Sequence, residues 1–172
     1  DGSAFFTVPA NTPIAMQPLD AEGKALQLMR SWLTAMPGEN VSCVGCHESQ
    51  NTTMPNQRTL AATRKPSAIK PWYGPTRGFS FPREVQPVLD KHCVSCHDGQ
   101  PAANGKSIPD LRHSDEKGWR GFTPAYIALH PYVRRPGPES DYHMLVPMEF
   151  HADTSELIQM LKKGHHGVHL EP

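Results

Sequence analysis

Apolar residues in this chain come in short runs broken by proline, and few runs hold one period for long. Over residues 1–40, Phe5, Phe6 and Val8 precede Pro9, and Ile14 and Met16 precede Pro18, which reads as extended backbone. Asp20-Ala21-Glu22-Gly23 is a turn signal. The next run is ambiguous. Ala25, Leu28, Met29, Trp32, Leu33 and Met36 fall at helical spacing, while Leu26, Leu28, Arg30, Trp32 and Thr34 alternate less regularly. Periodicity alone favours a helix there. Residues 49–80 are polar, rich in Pro, Thr and Arg, and hold no period. They predict a long wrapping loop, a feature uncommon in compact domains unless it is functional. Lys65-Pro66 and Lys70-Pro71-Trp72-Tyr73-Gly74-Pro75 would keep it extended.

From Phe79 the pattern changes. Val85, Val88, Leu89 and His92 share one face of a short helix whose start is restricted by Pro87. Residues 98–123 are a second loop, with turn signals at Asp98-Gly99 and Asn104-Gly105. Pro124 to Tyr132 predicts a helix with proline in its first turn, followed by a break over Arg134 to Asp141. The last helix is the clearest. Asp153 is its expected cap, with Glu156 completing a capping box. Leu157, Ile158, Met160 and Leu161 form its apolar face, Lys162 and Lys163 suit its C-terminal dipole, and Gly164 stops it.

All four cysteines lie in two stretches, Cys43-Val44-Gly45-Cys46-His47 and Cys93-Val94-Ser95-Cys96-His97. Both have the C-x-x-C-H spacing of c-type haem attachment. Two thiols one turn apart can each form a thioether to a haem vinyl group, and a neutral imidazole next in sequence can ligate the iron. A shared Cys₄ zinc site fits less well. The pairs stand 46 residues apart, His47 to His92, against the usual gap of about 15–20. Zinc also gives no reason for a histidine after each pair. A thioredoxin-like pair would need a βαβ context, and a two-residue loop is a poor place for a structural disulfide. The spacing therefore predicts two covalently bound haem c groups, held through Cys43, Cys46 and His47, and through Cys93, Cys96 and His97.

Composition agrees with a chain built around such groups. Hydrophobic residues are 37% of 172 and there are 18 prolines, with mean hydropathy −0.53. That is a thin core, which two large apolar plates would supplement. The haem-free chain is expected to be largely unfolded. The 17 basic and 17 acidic residues cancel, so no nucleic-acid footprint is present. There is no apolar run long enough to span a membrane and no signal peptide. Haem c is attached outside the cytoplasm, so a periplasmic or otherwise exported location is expected. A signal would then have been removed or would lie upstream, and both ends of the chain read as cut from something longer.

The second axial ligands must come from the remaining histidines or from the methionines. His165-His166, just after Gly164, is the first candidate pair, against the plainer reading of a solvated basic helix end. His143 and His151 come next, flanked by Met144, Leu145, Val146, Met148 and Phe150, apolar neighbours suited to a haem face. Of these two His143 is favoured, because His151 lies against the start of the last helix. His92 is expected to point away from the iron, and His113 and His130 to lie on the surface; His169 is close to the chain end. Met54, Met144 and Met148 are thioether alternatives, although methionine beside a haem more often serves packing.

Four stretches carry a family resemblance. Phe5-Phe6-Thr7-Val8-Pro9-Ala10-Asn11-Thr12-Pro13, then Met29-Arg30-Ser31-Trp32, then Ser42 to Glu48 resemble the region around the first haem motif in proteins related to the hydrazine synthase alpha subunit. The tail from Asp141-Tyr142-His143 to Lys163-Gly164-His165-His166 is similar to the C-terminal cytochrome part of that group. The resemblance implies a dihaem module of a larger exported protein, often behind a β-propeller, and a strand rather than a helix before Pro37. It also implies a second haem that is bis-histidine and transfers electrons, its distal ligand falling at His165 or His166. In that family the middle-domain haem is catalytic and is ligated by a tyrosine four residues after the motif histidine. Asn51 stands at that position here, so hydrazine synthesis is not carried over, and His47 is left to bind iron in the ordinary way.

The expected fold is mainly α with long loops, dihaem cytochrome c-like, with a small N-terminal β segment. The expected division is a β-rich segment over 1–40, the first haem motif and wrapping loop over 41–80, and a second cytochrome c-like haem domain over 81–172. The expected function is electron transfer to a redox partner or a neighbouring domain of the same chain, without catalysis at its own irons. The alternative is a haem enzyme whose iron at His47 stays open to peroxide or a small nitrogen compound.

Overall fold

The structure is a computed structural model, and it describes residues 1–45, 51, 58–71, 74–137 and 145–170. The chain divides into two compact units. One comprises Asp1–Thr76 with Pro138–Glu149, the other Arg77–Gly137 with Phe150–Pro172.

The first unit is built on a loose hairpin between residues 11 and 35. Its tip is closed by Asp20, whose Oδ1 accepts from the N–H groups of Glu22 and Lys24 at 3.0 and 2.8 Å. Gly23 takes the left-handed conformation this turn needs, at φ 79°. Further along, Leu26 N–H donates to Pro18 O, Ile14 and Leu33 exchange both backbone bonds, and Asn11 N–H donates to Ala35 O. These are isolated bridges, because Pro13 and Pro18 lack the donors a continuous ladder requires. Residues 25–36 are thus extended, and their helical period does not prevail over pairing with the 11–18 arm.

The alternation in this arm is real but has the unexpected phase. Gln27 and Ala35 are buried, whereas Trp32 and Met36 are more than half exposed. Gln27 is accommodated because its Nε2 donates to Leu145 O at 3.3 Å and its Oε1 accepts from Leu28 N–H. Met148 N–H donates to Leu26 O, so the segment 145–148 is fastened along the same arm. At the other edge, Asp1 and Ser3 side chains accept from Leu60 and Ala61 N–H at 2.7 and 2.9 Å, capping a short 3₁₀ turn at Ala61–Thr63. Ser67 pairs with Phe5 and Thr7. Part of the predicted wrapping loop is therefore pinned by the N-terminal residues.

Among the described residues, the second unit carries three α-helices. A single wide turn, Phe81–Val85, opens into α1, Gln86–His92. Helix α2 is Pro124–Leu129, prolonged by a 3₁₀ turn at His130–Tyr132, and α3 is Glu156–Lys163. The core is small: Leu89 of α1, Leu111 of the intervening loop and Ala125 of α2 are buried, with Phe81, Val85, Cys93, Ala128 and Leu129 packed around them. Tyr126 stacks on Phe122 at 4.4 Å and meets Phe81 edge-on at 5.4 Å.

One capping expectation is corrected here. Asp153 does not cap α3. It lies in a 3₁₀ turn, Ala152–Thr154, and Ser155 occupies the N-cap position without a side-chain cap bond. The Ser155 hydroxyl is directed elsewhere, accepting from Arg134 N–H at 3.0 Å. Asp153 instead pairs with Lys162 of α3 at 2.7 Å. Gly164, at φ 88°, ends the helix as its sequence position predicts. Among the described residues no helix is long and apolar enough to cross a membrane.

Candidate functional site

The site grows out of the C-terminal end of α1. Leu89 O accepts from both Cys93 N–H and Val94 N–H, at 2.8 and 3.0 Å. Cys93 O then accepts from Cys96 N–H at 3.1 Å and His97 N–H at 2.9 Å. The C-x-x-C-H stretch is thus one tight turn continuing the helix, with both thiols free; Cys96 is exposed and Cys93 half-buried. Burial pushes the Cys93 thiol above its ordinary value.

His97 follows the turn and is held from behind. Its Nδ1 stands 2.8 Å from Pro109 O. A carbonyl can only accept, so Nδ1 carries the proton and Nε2 keeps the lone pair in the neutral ring. The 97–111 loop that brings Pro109 back is closed by Leu111 N–H donating to His97 O at 3.0 Å. Leu111 O accepts in turn from the buried Gln86 Nε2 at 2.9 Å. At the loop's shoulder Asp110 and Arg112 pair at 2.7 Å. Hydrogen bonds from the Arg112 guanidinium and from its backbone N–H hold the Asp110 carboxyl below its ordinary value.

His165 faces this arrangement. Its ring centroid lies 6.0 Å from that of His97, with the planes tilted by 35°. It follows the Gly164 stop, and its carbonyl accepts from Val168 N–H at 2.9 Å in a small bridge that fixes the end of α3. His166 meets His165 edge-on at 4.6 Å and is exposed, in left-handed backbone at φ 50°. Burial lowers the pKa of His165, and the neighbouring His166 and His97 add to the effect. The shift favours the neutral ring, the form that ligates a metal.

The donor set can be tested against what it would hold. A centroid separation of about 6 Å leaves room for one metal atom bonded at about 2 Å to a nitrogen of each ring. Two imidazoles do not by themselves complete a metal site, and among the described residues no group of three or more His, Cys, Asp and Glu converges on one point. A porphyrin iron brings its four equatorial nitrogens with it and needs only two axial ligands, so Cys93, Cys96, His97 and His165 fit a haem better than a bare ion.

The remaining candidates are placed as follows. Cys43 is exposed. Cys46, His47, Met54, His143 and Met144 lie outside the described residues. His151 is buried, and its Nδ1 accepts from Asp153 N–H at 3.2 Å. An accepting Nδ1 puts the proton of the neutral ring on Nε2, leaving His151 no lone pair for iron. His92 is half-buried at the end of α1, and His113 is exposed 3.5 Å from Asp115. His130, expected on the surface, is half-buried with its ring 6.0 Å from Tyr126. The sequence reading missed Pro109, whose contribution is a backbone carbonyl and leaves no trace in residue type. It also missed Gln86, which a polar residue three positions before Leu89, on the helix's apolar side, could have signalled.

Among known proteins, residues 1–48 match the family model described as hydrazine synthase alpha subunit middle domain. This links the N-terminal 48 residues, up to the first C-x-x-C-H motif, to a redox-related family. No curated protein and no solved structure matches the chain.

Proposed function

We propose that this chain is a dihaem c-type cytochrome module that transfers electrons within a larger exported redox protein, with a cytochrome c-like arrangement around each haem. The observation that carries the reading is the C-x-x-C-H turn at the end of α1, with His97 held by Pro109 O and His165 facing it at 6.0 Å. A bound haem supplies one-electron chemistry at iron, with a potential set by axial ligands, hydrogen bonding and burial. The protein's part is attachment, orientation and exclusion of other ligands. Cys93 and Cys96 would tether one haem, and His97 and His165 would ligate its iron. Two protein ligands leave no coordination position for a substrate, which suits electron transfer rather than turnover. His97 keeps a fixed tautomer because Pro109 O holds its Nδ1 proton.

Cys43, Cys46 and His47 would hold the other haem. In the 143–151 segment the engagement of His151 Nδ1 leaves His143 as the imidazole proposed for its distal side. The match of residues 1–48 to a synthase domain favours a second reading, in which the His47 iron is open and catalytic. Optical and EPR spectra of the oxidised and reduced protein separate the two. Two low-spin haems that do not bind carbon monoxide support the electron-transfer reading. One high-spin haem that binds carbon monoxide would overturn it in favour of the enzyme.

A further inference from the structure

We infer that Gln86 is a positioning residue that sets the electron donation of His97, and through it the redox potential of the second haem; the inference rests on the reading above. Gln86 is 3% exposed at the start of α1, a polar side chain where the helix faces its core. Its Nε2 donates to Leu111 O at 2.9 Å and to Asp90 Oδ1 at 2.8 Å. Both protons of the amide are therefore used, and its orientation is fixed.

The bond to Leu111 reaches His97 by a short route. Leu111 returns a second bond, from its N–H to His97 O at 3.0 Å. Two residues before it, Pro109 presents the carbonyl that His97 Nδ1 meets at 2.8 Å. Pro109 has no N–H with which to anchor itself, so its carbonyl is located by its neighbours. The Leu111 side chain packs on Leu89, one turn beyond Gln86 on the same helix. Helix α1 thus holds the His97 turn at its C-terminal end and, through Gln86, the strand of loop that supports the back of the His97 ring.

Donation from Nδ1 to a carbonyl raises the basicity of an imidazole ligand and favours the higher oxidation state of its metal. Loosening Leu111 lets Pro109 O recede, makes His97 a poorer donor and raises the potential. Loss of such a supporting bond changes ligand strength by about tenfold or more. A tenfold change in the ferric-to-ferrous preference is about 59 mV for one electron.

The test is a redox titration of the holoprotein followed optically. Gln86→Met keeps the volume and removes the donor. It is compared with Val88→Ala, at a 41% exposed position of the same helix outside these contacts, and with Asp90→Ala, which removes one of the two Nε2 partners at an exposed position. The expected result is an upward shift of one haem by about 59 mV in Gln86→Met and a smaller shift in the same sense in Asp90→Ala. The other haem should stay unchanged, and Val88→Ala should move neither potential. If Gln86→Met does not fold, Asp90→Ala still decides the matter. Unchanged potentials in both Gln86→Met and Asp90→Ala, or an equal shift in Val88→Ala, would overturn the proposal. A wild-type protein lacking haem absorbance would overturn the reading beneath it, before any variant is compared.

Discussion

Leu111→Ala probes the core on which the second C-x-x-C-H turn stands. Leu111 is 3% exposed, and its buried partners are Leu89 and Ala125. Truncation removes three carbon groups at about 0.8 kcal/mol each, roughly 2.4 kcal/mol of transfer free energy. A cavity adds to that, but the half-buried ring of Phe81, Val85, Ala128 and Leu129 can partly collapse into it. The total expected is about 3 kcal/mol, in the lower half of the range for buried leucines. For a chain of this size that is a fall of about 6–12 °C in Tm. The matched control is Leu60→Ala, at a side chain 66% exposed, which should change stability by no more than about 0.5 kcal/mol. Urea unfolding of the holoprotein followed by far-UV circular dichroism gives both values. If Leu111→Ala costs less than about 1 kcal/mol, or no more than Leu60→Ala, the core does not lie where the second unit places it.

Three further outcomes follow from the site. His165→Ala should open one haem to carbon monoxide, whereas His166→Ala should not, as optical spectra of the reduced variants will tell; the reverse order would reassign the ligand. His151→Ala should cost about 1 kcal/mol by removing the acceptor for Asp153 N–H, while leaving both haems low-spin; a high-spin signal would make His151 a ligand after all. Asp110 has a depressed folded-state pKa, so its contribution to stability is present above its ordinary value of 3.8 and is lost as pH falls through the lower folded value. Arg112→Leu should raise the Asp110 carboxyl toward the ordinary range in an NMR titration, the backbone N–H of residue 112 remaining, and an unmoved titration would show that the guanidinium is not what lowers it.

How much could be read from residue order differs by element. Helices α1 and α2 are legible because proline marks the start of each and an apolar face follows. The stop of α3 is legible in Gly164, but its start is not: Asp153 and Glu156 have capping-box spacing, yet Ser155 is drawn to Arg134 N–H and Asp153 to Lys162. The 25–36 run is misread by periodicity because its apolar set does not define its inner face. Buried Gln27 is paid for by Leu145 O, a partner 118 positions away. At the site, the C-x-x-C-H turn and the pair His165-His166 are visible as residue types. The proposed choice of His165 over His166 rests on the backbone after Gly164, which brings the His165 ring to face His97 and leaves His166 exposed in left-handed backbone. The Pro109 carbonyl and the Leu111 latch are backbone groups, and no substitution pattern would betray them.

The central claim is covalent attachment of two haems, and the mass of the intact protein in denaturant tests it most directly. The account predicts a single species carrying the chain plus two haems, with tryptic peptides containing Cys43/Cys46 and Cys93/Cys96 each retaining one. A species at the mass of the bare chain, or one whose haem is lost to acid–acetone, would contradict it.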